Sequence, residues 1–220
     1  MVEYINSIPI TYASELILEC RQLFMTIMGQ LYVIIKSSRN TLKTIKYIAQ
    51  SYVTKFVESC CVVRIDELSS VKLDDFDKII LSPGPSLPKD YPQIFEFLEK
   101  YISTKSILGI CLGHQAIAEF FGGNLLNLKK VKHGVNSENR VLVKDNLFKK
   151  IPLQFSVAHY HSWVIEKSSF PDCLEITSEN EEGLIMSFSH KEHDLKGIQF
   201  HPESILTNYG ENIIENWINS

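Results

Sequence analysis

Residues 106–123 read SILGICLGHQAIAEFFGG, and the fold turns on this stretch. Ser106–Ile110 is a short apolar run of the kind that makes a buried strand, His114–Phe121 carries a helical pattern, and Gly122-Gly123 stops it. Cys111 sits at the junction, with Gly109 and Gly113 two residues away on either side. A chain that turns abruptly from strand into helix leaves no space for larger side chains there, which is what glycine supplies. A cysteine in that corner lies at a helix N-terminus, whose unpaired N–H groups and dipole favour thiolate. The next N–H, that of Leu112, points where an oxyanion would form. Taken alone, GxCxG fits a small buried structural cysteine about as well.

Upstream of this junction, strand and helix patterns alternate. Ser14, Glu15–Met28 and Gly29 read as a helix with its N-cap and C-cap. Leu31–Ile35 (LYVII) is a continuous apolar run, as expected of a buried parallel strand, Thr41–Val57 has helical spacing, and Cys60–Ile65 is a second strand. Lys78–Leu81 (KIIL) is a third, ending in the turn Ser82-Pro83-Gly84-Pro85, and Tyr91–Tyr101 is an amphipathic helix. Such alternation predicts an α/β fold: an open, mostly parallel twisted sheet with helices on both faces. From Val141 onward short strands follow one another with few helices, at 141–143, 155–157, 174–177, 184–188 and 197–200. That predicts a mixed or antiparallel C-terminal portion, closed by a helix at Glu211–Ile218. Residues 1–30 read as a helical extension and 31–220 as one domain.

Composition narrows the function classes. The 220 residues are 45% hydrophobic and 22% charged, ordinary for a chain with a sizeable core. A net charge of −4 carries no basic footprint for nucleic acid. The five cysteines, Cys20, Cys60, Cys61, Cys111 and Cys173, follow neither a disulfide framework nor a CxxC pattern, which fits a reducing cytoplasm. The start of the chain lacks the features of a signal peptide. Glu15, Glu19, Arg21 and Gln22 interrupt the apolar stretch before Met28, so no membrane span is expected.

A thiolate nucleophile needs a proton shuttle, and the shuttle needs an orienting group. Residues 197–204 read GIQFHPES: Ile198 and Phe200 alternate inward on a strand, His201 emerges at its end, and Glu203 follows after Pro202. His-Pro-Glu at a strand end, together with an elbow cysteine, points to catalysis. His114, His133, His159 and His161 have no spacing that makes a known metal site, and read as structural or interface residues.

Together these segments carry a resemblance. SPGP at 82–85, GICLGHQAIAEFFGG at 109–123, HG at 133–134, YHSW at 160–163 and GIQFHPESILT at 197–207 resemble the class I (triad) glutamine amidotransferases. The match is closest to the small subunits of anthranilate synthase and aminodeoxychorismate synthase, and runs in order from about Leu31 to the C-terminus. It implies a flavodoxin-like α/β fold and a Cys111–His201–Glu203 triad. It also implies a glutamine pocket made by Gly84, Pro85, Ser86, Leu112, Gln115, Ser162 and Trp163, with no cofactor and no metal. In that reading Gln115 holds the substrate, Ser162 and Trp163 bind its amino-acid head through their backbone, and the Gly84 region supplies a second oxyanion donor. The implied reaction is hydrolysis of glutamine, with ammonia passed to a chorismate-binding synthase subunit. Alternatives in the same frame are a subunit serving another synthase, such as the imidazole glycerol phosphate enzyme, or a non-catalytic scaffold.

The chain departs from the family in three places. Lys36–Thr41 replaces the acidic, aromatic stretch that usually follows the first strand. Ser86 stands where the family has glycine. About thirty residues precede the first strand where the family has almost none, read here as an extra packing helix or an upstream start.

Overall fold

The computed structural model describes residues 32–37, 57 and 59–220. The helix expected over Glu15–Met28, and all but the last residue of the one expected over Thr41–Val57, lie outside them. The described strands are β1 (Tyr32–Ser37), β2 (Ser59–Arg64), β3 (Phe76–Leu81), β4 (Ser106–Ile110), β5 (Leu125–Val141), β6 (Gln154–Ile165), β7 (Leu174–Asn180), β8 (Ile185–His190) and β9 (Leu195–Ile198). They form a single mixed sheet in the order β2-β1-β3-β4-β9-β8-β7-β5-β6. Three α-helices are described: α1 (Pro92–Tyr101), α2 (Leu112–Phe120) and α3 (Gly210–Ile218).

The centre is parallel. Leu81 of β3 registers with Gly109 of β4, and Gly109 in turn with Gly197 of β9. All five residues of β4 are buried, because both faces of this central strand are covered. On one face Ile79, Leu81 and Ile107 pack with Leu98 of α1 and Ala116 and Ile117 of α2. On the other, Ile80, Leu108 and Ile110 pack with Ile213, Ile214 and Trp217 of α3. The α/β sandwich with helices on both faces is therefore present. Its parallel part is confined to β3, β4 and β9, since β1 runs antiparallel to both β2 and β3. An apolar run buries equally well in either direction, so composition alone does not give the direction of LYVII.

The second half is antiparallel throughout, through β9–β8, β8–β7, β7–β5 and β5–β6. Only the end of β5, at Val141, is legible in the sequence. The rest of this strand carries Lys129, Lys130 and Lys132 and lies mostly at the surface, so it lacks a clean alternation. Its register against β6 shifts between Asn127 and Lys132 and again between His133 and Val135. The hairpin curls back, so that β6 meets the segment after β9: His201 N–H donates to Ala158 O at 3.2 Å and Asn208 N–H to Ser156 O at 2.9 Å. Thr207 ties the two together, accepting from Ala158 N–H at 3.0 Å and donating to His201 O at 2.6 Å.

Candidate active site

Cys111 links the end of β4 to the start of α2 with φ 51° and ψ −98°, a conformation that few L-residues adopt. Its N–H donates to Ile198 O of β9 at 2.8 Å, and its carbonyl accepts from Gln115 N–H at 3.0 Å. The corner is held by close approach at both flanking glycines. A Cβ on Gly109 would lie 2.5 Å from the Gly113 carbonyl carbon, and one on Gly113 would lie 2.2 Å from Leu81 O. The second of these contacts also fixes where the loop after β3 begins. Because β3 and β4 are parallel neighbours, Ser82–Ser86 leaves the sheet at the same end as Cys111. Leu112 opens α2, so its N–H has no carbonyl within the helix to donate to.

His201 and Glu203 reach the same end from β9. Both are buried, and His201 Nδ1 lies 2.7 Å from Glu203 Oε1. Burial by itself would push the His201 pKa down. The Glu203 carboxylate and Cys111, by charge and by hydrogen bonds to the ring, outweigh it and raise the pKa to about 10. The Tyr160 ring meets His201 edge-on at 5.0 Å, and Tyr160 Oη lies 3.1 Å from Ser204 Oγ, so the imidazole is held on a further side.

The other predicted site residues fall into two groups. Gln115 lies one turn into α2 and is buried; its Nε2 donates to the Trp163 carbonyl at 2.8 Å, which joins it to the end of β6. Ser162 and Trp163 therefore belong to a strand and not to a plain loop. Ser162 sits where the register between β5 and β6 is interrupted. Gly84, Pro85 and Ser86 line the loop after β3, Pro85 and Ser86 being exposed. Ser86 adopts φ 66°, the left-handed region where glycine is the unstrained residue.

One buried polar residue is missed by the sequence motifs. Gln199 is fully buried, and its Nε2 donates to Cys111 Sγ at 3.6 Å. The signal was the two-residue period of an extended chain, since Gly197, Gln199 and His201 share a face. Of the histidines read as structural, His114, His159 and His161 are buried nearby, and His133 is only partly buried. His159 Nδ1 lies 3.0 Å from His161 Nε2, and His159 Nε2 lies 2.6 Å from Ser137 Oγ. His114 stacks on Phe188 with ring centroids 4.7 Å apart. Burial pushes their pKa values down, to about 4 for His159, about 2 for His161 and about 3 for His114.

Residues 39–220 match the family described as glutamine amidotransferase class-I. The chain is 44% identical over 157 residues to a Haemophilus influenzae protein provisionally assigned as anthranilate synthase component II, spanning 71% of this chain and 81% of that one. It is 37% identical over 159 residues to the aminodeoxychorismate synthase component 2 of Escherichia coli, spanning 71% and 84%. Among solved structures, a Thermoplasma acidophilum protein provisionally assigned to GMP synthase aligns with a TM-score of 0.71 and 25% identity, over 82% of this chain and 89% of that one. An elbow cysteine opposite a histidine–carboxylate pair, on a sheet parallel at its centre and antiparallel elsewhere and matched along most of its length to these proteins, makes this chain a member of the class I glutamine amidotransferases.

Proposed function

We propose that this chain is the glutaminase subunit of a chorismate-using synthase, with Cys111, His201 and Glu203 as its catalytic residues. The observation that carries the reading is the strained Cys111 corner, joined through His201 to a carboxylate 2.7 Å from its Nδ1.

In this reaction the Cys111 thiolate attacks the side-chain amide carbon of glutamine. The developing oxyanion is met by the Leu112 N–H and a second donor from the Gly84–Ser86 loop. His201, held as imidazolium by Glu203, gives its proton to the departing nitrogen. Ammonia leaves and a γ-glutamyl thioester remains. Neutral His201 then takes a proton from water, the hydroxide adds to the thioester, and glutamate and the Cys111 thiolate are released. Gln115, Ser162 and Trp163 hold the amino acid. Ammonia set free in bulk water is protonated and lost as a nucleophile, which is the physical reason for docking on a synthase that consumes it.

The partner class is supported by relatives named for anthranilate and aminodeoxychorismate synthases, at identities above that of the GMP synthase-like structure. The test mixes the chain with chorismate-binding synthase subunits and measures glutamine-dependent formation of anthranilate or 4-amino-4-deoxychorismate. Cys111→Ala should abolish synthesis from glutamine while synthesis from ammonia survives. Glutamine-dependent synthesis by the Cys111→Ala protein would refute the reading.

A further inference from the structure

The Trp163 carbonyl can only accept, so the end of the Gln115 side chain that meets it at 2.8 Å is the amino end. The same Nε2 also donates to Gln199 Oε1 at 3.1 Å. That bond turns the amino end of Gln199 outward, and it donates to Cys111 Sγ at 3.6 Å. One backbone carbonyl thereby sets the direction of three successive hydrogen bonds, and the chain ends on sulfur. Neither amide can easily turn over. Gln199 is 0% and Gln115 3% exposed, and a flip would set two acceptors or two donors against each other in a buried site. The backbones at both positions are tied as well, Gln199 N–H to Met186 O at 2.8 Å and Gln115 N–H to Cys111 O at 3.0 Å.

We propose that Gln199 is a positioning residue for the nucleophile, delivering through the Trp163–Gln115–Gln199 chain an N–H that fixes the Cys111 sulfur and favours its anionic form. A donor aimed at sulfur stabilises charge there, whereas the opposite amide orientation would set a carbonyl oxygen against it. The chain has a second effect. Both N–H groups of the Gln115 amide are engaged, so Gln115 offers its Oε1, an acceptor, to an N–H of the substrate.

This proposal rests on reading Cys111 as the nucleophile, yet its test needs no turnover. Alkylation of Cys111 by iodoacetamide, followed by peptide mass spectrometry across a pH series, reports the reactive sulfur directly, with Cys173 as an internal control. Gln199→Met keeps the volume and removes the donor. Its Cys111 profile should move to higher pH, with alkylation about tenfold slower at pH 7, while the Cys173 profile stays put. Gln199→Glu, which sets a carboxylate against the sulfur, should move it further. Gln115→Met breaks the chain one link away from the sulfur and should move the profile the same way by less, a response that a purely structural Gln199 would not produce. With a synthase partner, Gln199→Met should lower kcat for glutamine at least about tenfold while KM stays within about threefold.

A folded Gln199→Met protein whose Cys111 alkylation stays within twofold of the parent at every pH overturns the proposal. If Gln199→Met fails to fold, an unshifted profile for Gln115→Met does the same. Shifted alkylation in a chain that supports glutamine-dependent synthesis with none of the chorismate-binding synthase subunits would keep the positioning role and refute the proposed function instead.

Discussion

Glu203 Oε1 lies 2.7 Å from His201 Nδ1 although only Pro202 separates the two residues, and both side chains are buried. Residues 202 and 203 form a turn beyond β9, which ends at Ile198, and this turn folds the carboxylate back onto the ring. Across it Ser204 N–H donates to His201 O at 3.2 Å. Replacing Glu203 by Gln keeps the shape and removes the charge that raises the His201 pKa. Glutamine-dependent synthesis should fall about 100-fold or more in kcat, with little change in KM, measured by steady-state kinetics beside the ammonia-dependent rate as control.

Ser86 holds a left-handed φ of 66° in an exposed position. Glycine takes that conformation without the Cβ clash, so Ser86→Gly should stabilise the chain by up to about 1 kcal/mol, less the entropy that glycine adds to the unfolded state. Urea unfolding measures this. Glutamine turnover with a partner should stay the same or rise, since a loop freed of the side chain turns its peptide toward the oxyanion more readily.

Stability should peak near pH 6.5, for reasons of opposite sign. The native pKa values of His114, His159 and His161 are pushed down by burial to about 3, 4 and 2. Below pH 6.5 the unfolded chain takes up protons that the native protein refuses. Stability is therefore lost as pH falls from 6.5 toward 4, at up to about 1.4 kcal/mol per pH unit for each histidine. His201 is raised to about 10, so its contribution is complete below pH 6.5 and lost as pH climbs toward 10. Urea midpoints from pH 4.5 to 9 should trace both limbs. Replacing His161 by Gln should flatten only the acid one.

Lys78 caps the far end of α3. From the β3 strand its Nζ donates to Trp217 O at 2.9 Å and Ser220 O at 3.0 Å, and it sits 5.2 Å from the centre of the Trp217 ring. Lys78→Met should cost about 1–2 kcal/mol by removing charge-assisted bonds at a helix C-terminus, where the dipole favours a cation. Hydrogen exchange should quicken first in the last turn of α3.

The local devices of this protein are written into neighbouring residues of the chain. Gly109, Cys111 and Gly113 specify a strand-to-helix corner because the forbidden Cβ contacts are short-range, and the structure puts Leu81 O and the Gly113 backbone in the excluded space. The central strand and helix segments are legible for a similar reason, since a fully apolar run such as SILGI buries whatever surrounds it. Ser86 stands out in the sequence as a side chain in place of glycine, and its left-handed φ is the physical form of that departure. The remaining features come from contacts between distant segments. Strand direction at β1, the long β5 arm and the return of β6 to His201 depend on such pairings, which residue periodicity does not encode. The direction of the Gln199 amide is decided by the carbonyl of Trp163, which reaches it through Gln115. A hydrogen-bond chain of that kind acquires its polarity only when all of its members meet.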